Sequence, residues 1–379
     1  MLLGDLCLVS AANLLASLER PDLEALFAEA TTTAAMAGDY HEVLREAVVA
    51  ATEGPPGSVR ELGAGRPPAR EDDDMSRLEL QLGLALAADP ELVRAPMLGQ
   101  LSAGGKRLRP RLALLCARLG PRFDQERAAA LAVALELIHN ATLAHDDVVD
   151  ESPLRRGRPA IHTISGAPTA IRVGVYYFGR AASILADLGN PRVTATVMSA
   201  VTAVSRSQLE EFHFRGAQNF EESAYIDVVE GKTAALLAAC CGGGAALSGA
   251  GDPVVDALHQ YGRNLGIAFQ IVDDVLDFSQ TSGKVVAQDL RQSIGSLPLV
   301  YAMRDPEASA WIHARLDSGK GFDADEAAAV VRASGALDQA SRRAEHYRDL
   351  AVASLEPVKD GPDKTRLATL ADYTVVRQA

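Results

Sequence analysis

From about Ser76 to the end of the chain, apolar residues recur every three to four positions, the spacing of a helix with one buried face. Turn residues break this pattern into separate helices. One helix from about Ser76 is followed by the loop Ser102-Ala103-Gly104-Gly105-Lys106, then by a helix that Pro110 opens, then by a long one through Ala128 to Val149. Asn190-Pro191, Gly216-Ala217-Gln218-Asn219 and Gly249-Ala250-Gly251-Asp252-Pro253 divide the remainder. No pair of Val/Ile/Thr-rich alternating segments stands out, so the expected fold class is all-α, a bundle of ten or more helices.

Residues 1–50 also read as two helices, broken at Pro21-Asp22 and ending near Gly38-Asp39. Displaced by 170 positions they partly repeat residues of about 172–205: Gly4 falls on Gly174, Ala11-Ala12 on Ala181-Ala182, Leu15-Ala16 on Leu185-Ala186, Leu18 on Leu188 and Pro21 on Pro191. Chance likeness between two Ala/Leu helices is the rival explanation. Between Gly54 and Asp74 the chain turns to Gly, Pro and charge, too little apolar surface to hold a fold. The expected organisation is therefore a helical extension (1–50), a linker (51–74) and a main domain (75–379).

Two runs interrupt the apolar pattern in the same way: Asp146-Asp147-Val148-Val149-Asp150 and Asp273-Asp274-Val275-Leu276-Asp277. On a helix the first and fifth positions lie on one face, one turn apart. Carboxylates in an apolar setting are costly unless neutralised, and hard divalent cations with oxygen ligands are a common remedy. A single such run would pass as a solvated acidic patch; its recurrence favours metal. Gly104-Gly105-Lys106-Arg107-Leu108-Arg109-Pro110 adds flexible backbone and cations ahead of a helix N-terminus, suited to phosphate. Together they describe a site for magnesium-bound diphosphates.

Composition narrows the alternatives. The 379 residues are 48% hydrophobic and 23% charged, ordinary for a globular protein, and the low aromatic content of 5% beside abundant Ala and Leu favours helix. A net charge of −13 argues against a nucleic-acid binder. Cys7, Cys116, Cys240 and Cys241 have no metal-ligand spacing and read as small core residues of a reducing, cytoplasmic compartment. The longest apolar run, Thr233 to Leu247, is interrupted by Gly242-Gly243-Gly244 and is too short for a membrane span.

With both acid runs and the Gly-Gly-Lys-Arg loop in this order, the chain from roughly Ser76 to Arg377 resembles the trans-isoprenyl diphosphate synthase (polyprenyl synthetase) family. The resemblance implies an isoprenoid synthase-type helical bundle around a central cavity, usually a homodimer. It also implies an Mg2+-dependent enzyme that joins isopentenyl diphosphate to an allylic diphosphate. By family position Asp146, Asp147, Asp150, Asp273, Asp274 and Asp277 hold magnesium. Lys106, Arg109, His139 and Arg156 bind the diphosphate of isopentenyl diphosphate and Arg155 the allylic one, while Lys232, Thr233, Gln270 and Lys284 surround the allylic diphosphate and the nascent cation. Each also has a plainer role: His139 as a core histidine, Lys232-Thr233 as a polar turn, Gln270 as a hydrogen-bond partner.

The chain departs from the family pattern at Gly174-Val175 (commonly Gly-Asp), at Glu210-Glu211 with Phe214 (Gly-Glu, then Gln) and at Ser293-Ile294-Gly295-Ser296 (Gly-Lys-x-Thr). A weakly active or regulatory subunit is an alternative, although such partners typically lose acids and this chain keeps all six; a class I terpene cyclase would lack the second run and the basic loop. In the family a bulky aromatic at the position of Ala141 keeps products short. Ala141, with Thr142 and Ile138 nearby, therefore leads to an expected product of C20 or longer, with Tyr176, Tyr177 and Phe178 as a second floor or as ordinary core.

Overall fold

The computed structural model describes residues 71–87, 89–102, 105–214, 221–279, 296–318 and 323–376. The extension (1–50), most of the linker, the Gly216–Asn219 turn, Lys284 and the Ser293–Gly295 stretch lie outside them. Among the described residues there are fifteen α-helices, one π-helical segment and one two-stranded ribbon, so the all-α expectation holds.

These residues form two compact units, one of 71–199 with 243–250 and one of 200–242 with 251–376. In the first, α1 (Glu71–Ala87), α2 (Glu91–Ser102) and α3 (Leu108–Ala117) precede the long α4 (Gln125–Val149). A hairpin of β1 (Leu154–Arg155) and β2 (Arg158–Pro159) leads to α5 (Ile161–Ser165) and α6 (Ala167–Asp187), and α7 (Pro191–Phe214) follows, its first nine residues in this unit and the rest in the second. The second unit holds α8 (Glu222–Val229), the π segment (Glu230–Ala234) and much of α9 (Ala235–Leu247). It continues with α10 (Asp252–Ser279), α11 (Leu297–Ala302), α12 (Pro306–Ser318), α13 (Ala324–Ala333), α14 (Ala336–Ser354) and α15 (Pro362–Val376).

The long helix organises its unit. Asp124 caps α4 by accepting from the Glu126 and Arg127 amides at 3.0 and 3.1 Å, a cap worth about 1 kcal/mol. Beyond it Leu131, Leu135, Leu137, Ile138 and Ala141 are buried, and α3 and α6 pack against the helix. Among the described residues α4 is the helix long and apolar enough to cross a membrane, and 78% of that stretch is buried within the protein. In the second unit α10 plays the same part, packed along α14, with Ile267, Ala268 and Ile271 in the core.

Three local expectations shift. The first helix begins at Glu71, inside the stretch assigned to the linker. The helix expected to open at Pro110 begins at Leu108, Pro110 being tolerated in the first turn, where its missing N–H has no helical partner. A hairpin occurs where no strand was expected: Arg156 (φ 52°) and Gly157 (φ 75°) form a two-residue turn with both residues left-handed, the twist that matches a tight antiparallel ribbon.

Gly242-Gly243-Gly244 does not break its helix. α9 runs through all three because a Cβ on Gly244 would lie 2.4 Å from the Ala113 carbonyl oxygen, so close backbone approach requires glycine there. Cys116, Cys240 and Cys241 are buried, as small core residues would be. Gly244→Ala is expected to lower the unfolding free energy by about 1–3 kcal/mol, measured as a lower denaturant midpoint. Gly243→Ala is the control: its nearest neighbours, Leu131 Cδ2 and Val193 Cγ1, are 3.9 and 4.0 Å from the added Cβ, so stability should hold or rise slightly.

Candidate active site

The first acid run ends α4. Asp146 and Asp147 occupy its last turn, and Asp150 is the C-cap residue, its N–H donating to the Asp146 carbonyl at 2.8 Å. Asp146 and Asp150 are half-buried, one turn apart as the spacing required, whereas Asp147 is buried. Three acids at the negative end of a helix dipole repel it and one another. Arg155 on the hairpin answers them: its Nε donates to Asp147 Oδ1 at 2.8 Å and its Nη2 forms a close ion pair with the same oxygen. Burial opposes the Arg155 charge, but the bond to Asp147 and the charges of Asp147, Asp146 and Asp150 hold its pKa above the ordinary value.

The basic loop gathers on the same unit. Lys106 is exposed, Arg109 is half-buried, and the Arg156 guanidinium lies over Gly105, where an added Cβ would meet Nη1 at 3.0 Å. His139, on α4, has its pKa held well below the usual histidine value, first by burial and then by the charges of Arg109, Arg156, Arg155 and Arg107. The Arg156 pKa is also lowered, by burial and by Arg107 and Arg155, with Glu136 acting against them. The structure thus brings Arg109, His139, Arg155 and Arg156 together as a crowd of mutually repelling cations around a neutral imidazole. That crowding is relieved by an anion.

The second run lies near the end of α10. Asp273 and Asp277 are half-buried, and Asp274 is buried. The Asp274 carboxylate accepts from three donors: Tyr225 hydroxyl at 2.7 Å, Gln270 Nε2 at 3.0 Å and the Leu297 amide at 3.3 Å. Gln270 Oε1 in turn accepts from Thr233 Oγ1 at 2.9 Å, so the plainer role of Gln270 is real. Thr233 and Lys232 sit on the π segment, an insertion that often marks functional positions in helices, and Lys232 Nζ pairs with Glu211 Oε2 at 2.6 Å. Asp277 is pushed up to about 7 by burial, with the charges of Asp274 and Asp273 adding to it.

In each run, then, the middle acid is bound by protein donors while the first and fifth are left half-buried. Among the described residues no three His, Cys, Asp or Glu side chains are already disposed to hold a metal ion. The donors nevertheless suit a hard cation: they are carboxylate oxygens, and the burial and neighbouring charge that together raise Asp277 are both offset by a divalent ion.

Sequence reasoning missed the residues that orient the others. Arg107 is counted there among the phosphate-gripping cations, yet it is buried. Tyr225 and Glu136 carry no local signal, being ordinary residue types in helical stretches. Gly174, kept where the family pattern otherwise departs, has a packing reason: a Cβ there would come within 2.1 Å of His145 Nε2. Ala141, Ile138 and Tyr177 are fully buried. Tyr176 donates to Asp89 at 2.8 Å and packs edge-on to Tyr177, and Phe178 tilts against His145 at 5.8 Å.

A family model described as Polyprenyl synthetase matches residues 90–333. The chain is 37% identical over 307 residues to heptaprenyl diphosphate synthase component 2 of Geobacillus stearothermophilus, covering 79% of this chain and 95% of that one. It is 34% identical over 312 residues to the nonaprenyl diphosphate synthase of Mycobacterium tuberculosis, covering 80% and 92%. Among solved structures, a polyprenyl synthase from Caulobacter crescentus, complexed with calcium and isoprenyl diphosphate, superposes with a TM-score of 0.76 at 31% identity, covering 81% of this chain and 96% of that one.

Asp277 supplies a test that needs no substrate. Its folded pKa of about 7 lies above the ordinary 3.8, so the fold holds the proton more tightly than the unfolded chain does. Ionisation therefore weakens the fold; the penalty is absent below about pH 4 and complete above about pH 7. In chelator, Asp277→Asn should raise the melting temperature at pH 8 and leave it unchanged at pH 4. Added magnesium should raise the melting temperature of the unaltered protein at pH 8 more than that of the variant.

Proposed function

The chain belongs to the polyprenyl synthetase family, a prenyltransferase that lengthens prenyl chains, and we propose that it condenses isopentenyl diphosphate with an allylic diphosphate to give an all-trans product of C20 or longer. The observation that carries this proposal is the convergence of Arg109, His139, Arg155 and Arg156 next to the helix that ends in Asp146 and Asp150. A diphosphate and its counter-cation need both kinds of charge.

On this proposal Asp146, Asp150, Asp273 and Asp277 would hold Mg2+, while Asp147 and Asp274 orient their helices through Arg155 and through Tyr225 and Gln270. Bound magnesium supplies charge neutralisation of the diphosphate. Lys106, Arg109, Arg156 and neutral His139 bind the diphosphate of isopentenyl diphosphate. Arg155 and Lys232, with Lys284, stabilise negative charge on the allylic diphosphate as its C–O bond breaks. The Thr233 hydroxyl and the Gln270 amide offer dipoles to the allylic cation, which needs exclusion of water and not a nucleophile. The double bond of isopentenyl diphosphate attacks that cation, and the proton then lost can leave on the released pyrophosphate.

Several details rest on the same proposal. The chain works in the cytoplasm as a homodimer, with catalysis in the part from Glu71 onward; the relatives align with about four fifths of its length. Long products are supported by the hepta- and nonaprenyl names of those relatives and by the small Ala141 on α4.

The deciding experiment incubates the purified chain with isopentenyl diphosphate, magnesium and each allylic diphosphate from C5 to C20, followed by sizing of the products. Elongation should occur in the full chain and in one beginning at Glu71. Asp146→Ala or Asp273→Ala should lower turnover by about 100-fold or more with helical circular dichroism intact, because a lost ligand removes transition-state stabilisation. Near-normal turnover in either would sink the metal assignment. In the same assay Ala141→Phe should shorten the product by at least one unit, since an isoprene unit of about 4–5 Å is comparable to a helical turn; unchanged products would place the wall elsewhere.

A further inference from the structure

Arg107 stands in the middle of the basic loop, yet its side chain turns inward. It is 8% exposed. Its Nε donates to Glu79 Oε1 on α1 at 2.7 Å, its Nη1 to Glu136 Oε1 on α4 at 2.8 Å, and its Nη2 to the Leu101 carbonyl at the end of α2 at 3.1 Å. Glu136 is itself buried and accepts from Asn140 Nδ2 at 3.1 Å, while Gln100 Nε2 donates to the Asn140 carbonyl at 2.7 Å. One guanidinium thus ties the loop to three helices, and the network it joins occupies the turn of α4 that carries His139.

The backbone agrees. Arg107 has φ 47° and ψ 40°, a left-handed conformation in which a residue with a Cβ costs on the order of 1 kcal/mol. Such a residue persists where its surroundings over-determine it, and here the three-helix anchor does so. The kink sets the residues on either side: Lys106 is exposed, Arg109 half-buried beyond the kink, and Gly105 faces the Arg156 guanidinium.

We propose that Arg107 is a positioning residue, not a phosphate ligand: through Glu136 and Glu79 it holds the chain around it in the one conformation that presents Lys106 and Arg109 to isopentenyl diphosphate and sets Gly105 against the Arg156 guanidinium. This rests on the assignment of that half of the site in the proposed function. Lys cannot replace it, because a single ammonium does not reproduce a planar fork bonded to two carboxylates and a carbonyl at once.

The two roles predict opposite signs for Glu136→Gln. If Arg107 bound phosphate directly, removing a competing carboxylate would tighten isopentenyl diphosphate; if Arg107 positions the loop, weakening its anchor loosens it. The test is calorimetric titration of the full chain with isopentenyl diphosphate alone and, separately, with farnesyl diphosphate and magnesium. Arg107→Lys and Glu136→Gln are expected to weaken isopentenyl diphosphate about tenfold, the effect of losing one charge-assisted bond. Glu79→Gln, at the half-exposed edge of the network, should weaken it by about threefold, and farnesyl diphosphate should stay within about twofold throughout. Helical circular dichroism checks folding, and Glu79→Gln remains informative if the buried variants fail to fold. Unchanged or tighter isopentenyl diphosphate in Glu136→Gln or Glu79→Gln overturns the proposal, as does equal weakening of both ligands. Wild-type protein that binds isopentenyl diphosphate without condensing it contradicts the proposed reaction but leaves this comparison intact.

Discussion

Like charges held close together inside a fold must be answered, and most of the local architecture described above consists of answers. Asp146, Asp147 and Asp150 crowd the negative end of α4, where the helix dipole adds to their repulsion. The ribbon of β1 and β2 is a small piece of structure, but it delivers Arg155 to Asp147 and turns Arg156 towards Gly105. Its tight turn, with two left-handed residues, is what lets two consecutive arginines serve an acid and a basic loop at the same time.

The same logic divides the labour within each acid run. Burying a carboxylate is tolerable when several donors surround it. Asp274, with three donors, meets that condition; Asp147 meets it at Oδ1 through Arg155, while its Oδ2 is buried without a hydrogen-bond partner. Their neighbours at the first and fifth positions are left only partly shielded, and Asp277 shows the cost in its raised pKa. Spacing alone makes all six acids look equivalent; burial separates Asp147 and Asp274 from the half-buried acids at the first and fifth positions, which are the better placed to meet a cation. Opposite Asp274, the π segment carries both Thr233 and Lys232, so a local widening of the helix joins the second run to Gln270 and Glu211.

Close packing imposes the other constraint. α9 meets the backbone of α3 at Gly244, and α6 meets His145 at Gly174, each at a separation no Cβ permits. Glycines that read as interruptions in the sequence are contact points in the fold. The aromatic trio on α6 is likewise tied into its surroundings: Tyr176 bonds Asp89, which also pairs with Arg180 at 3.2 Å, and this joins α6 to the turn between α1 and α2.

What the sequence by itself determined was whatever depends on near neighbours along the chain. Helical periodicity established the all-α class, and the spacing of Asp146 with Asp150 and of Asp273 with Asp277 placed each pair one turn apart, because a helix converts sequence distance directly into direction. The Gly-Gly-Lys-Arg loop and the repeated acid runs were enough to point to the family. What only the tertiary structure decided was the partner of each charged side chain. That Arg107 turns inward to Glu79 and Glu136, that Asp274 is held by Tyr225 from 49 residues away, and that Arg155 belongs to Asp147 all follow from helices meeting across long sequence separations. An arginine that grips a ligand and one that anchors a loop are the same letter in a sequence. Burial and the direction of the side chain tell them apart, and both are properties of the packed molecule.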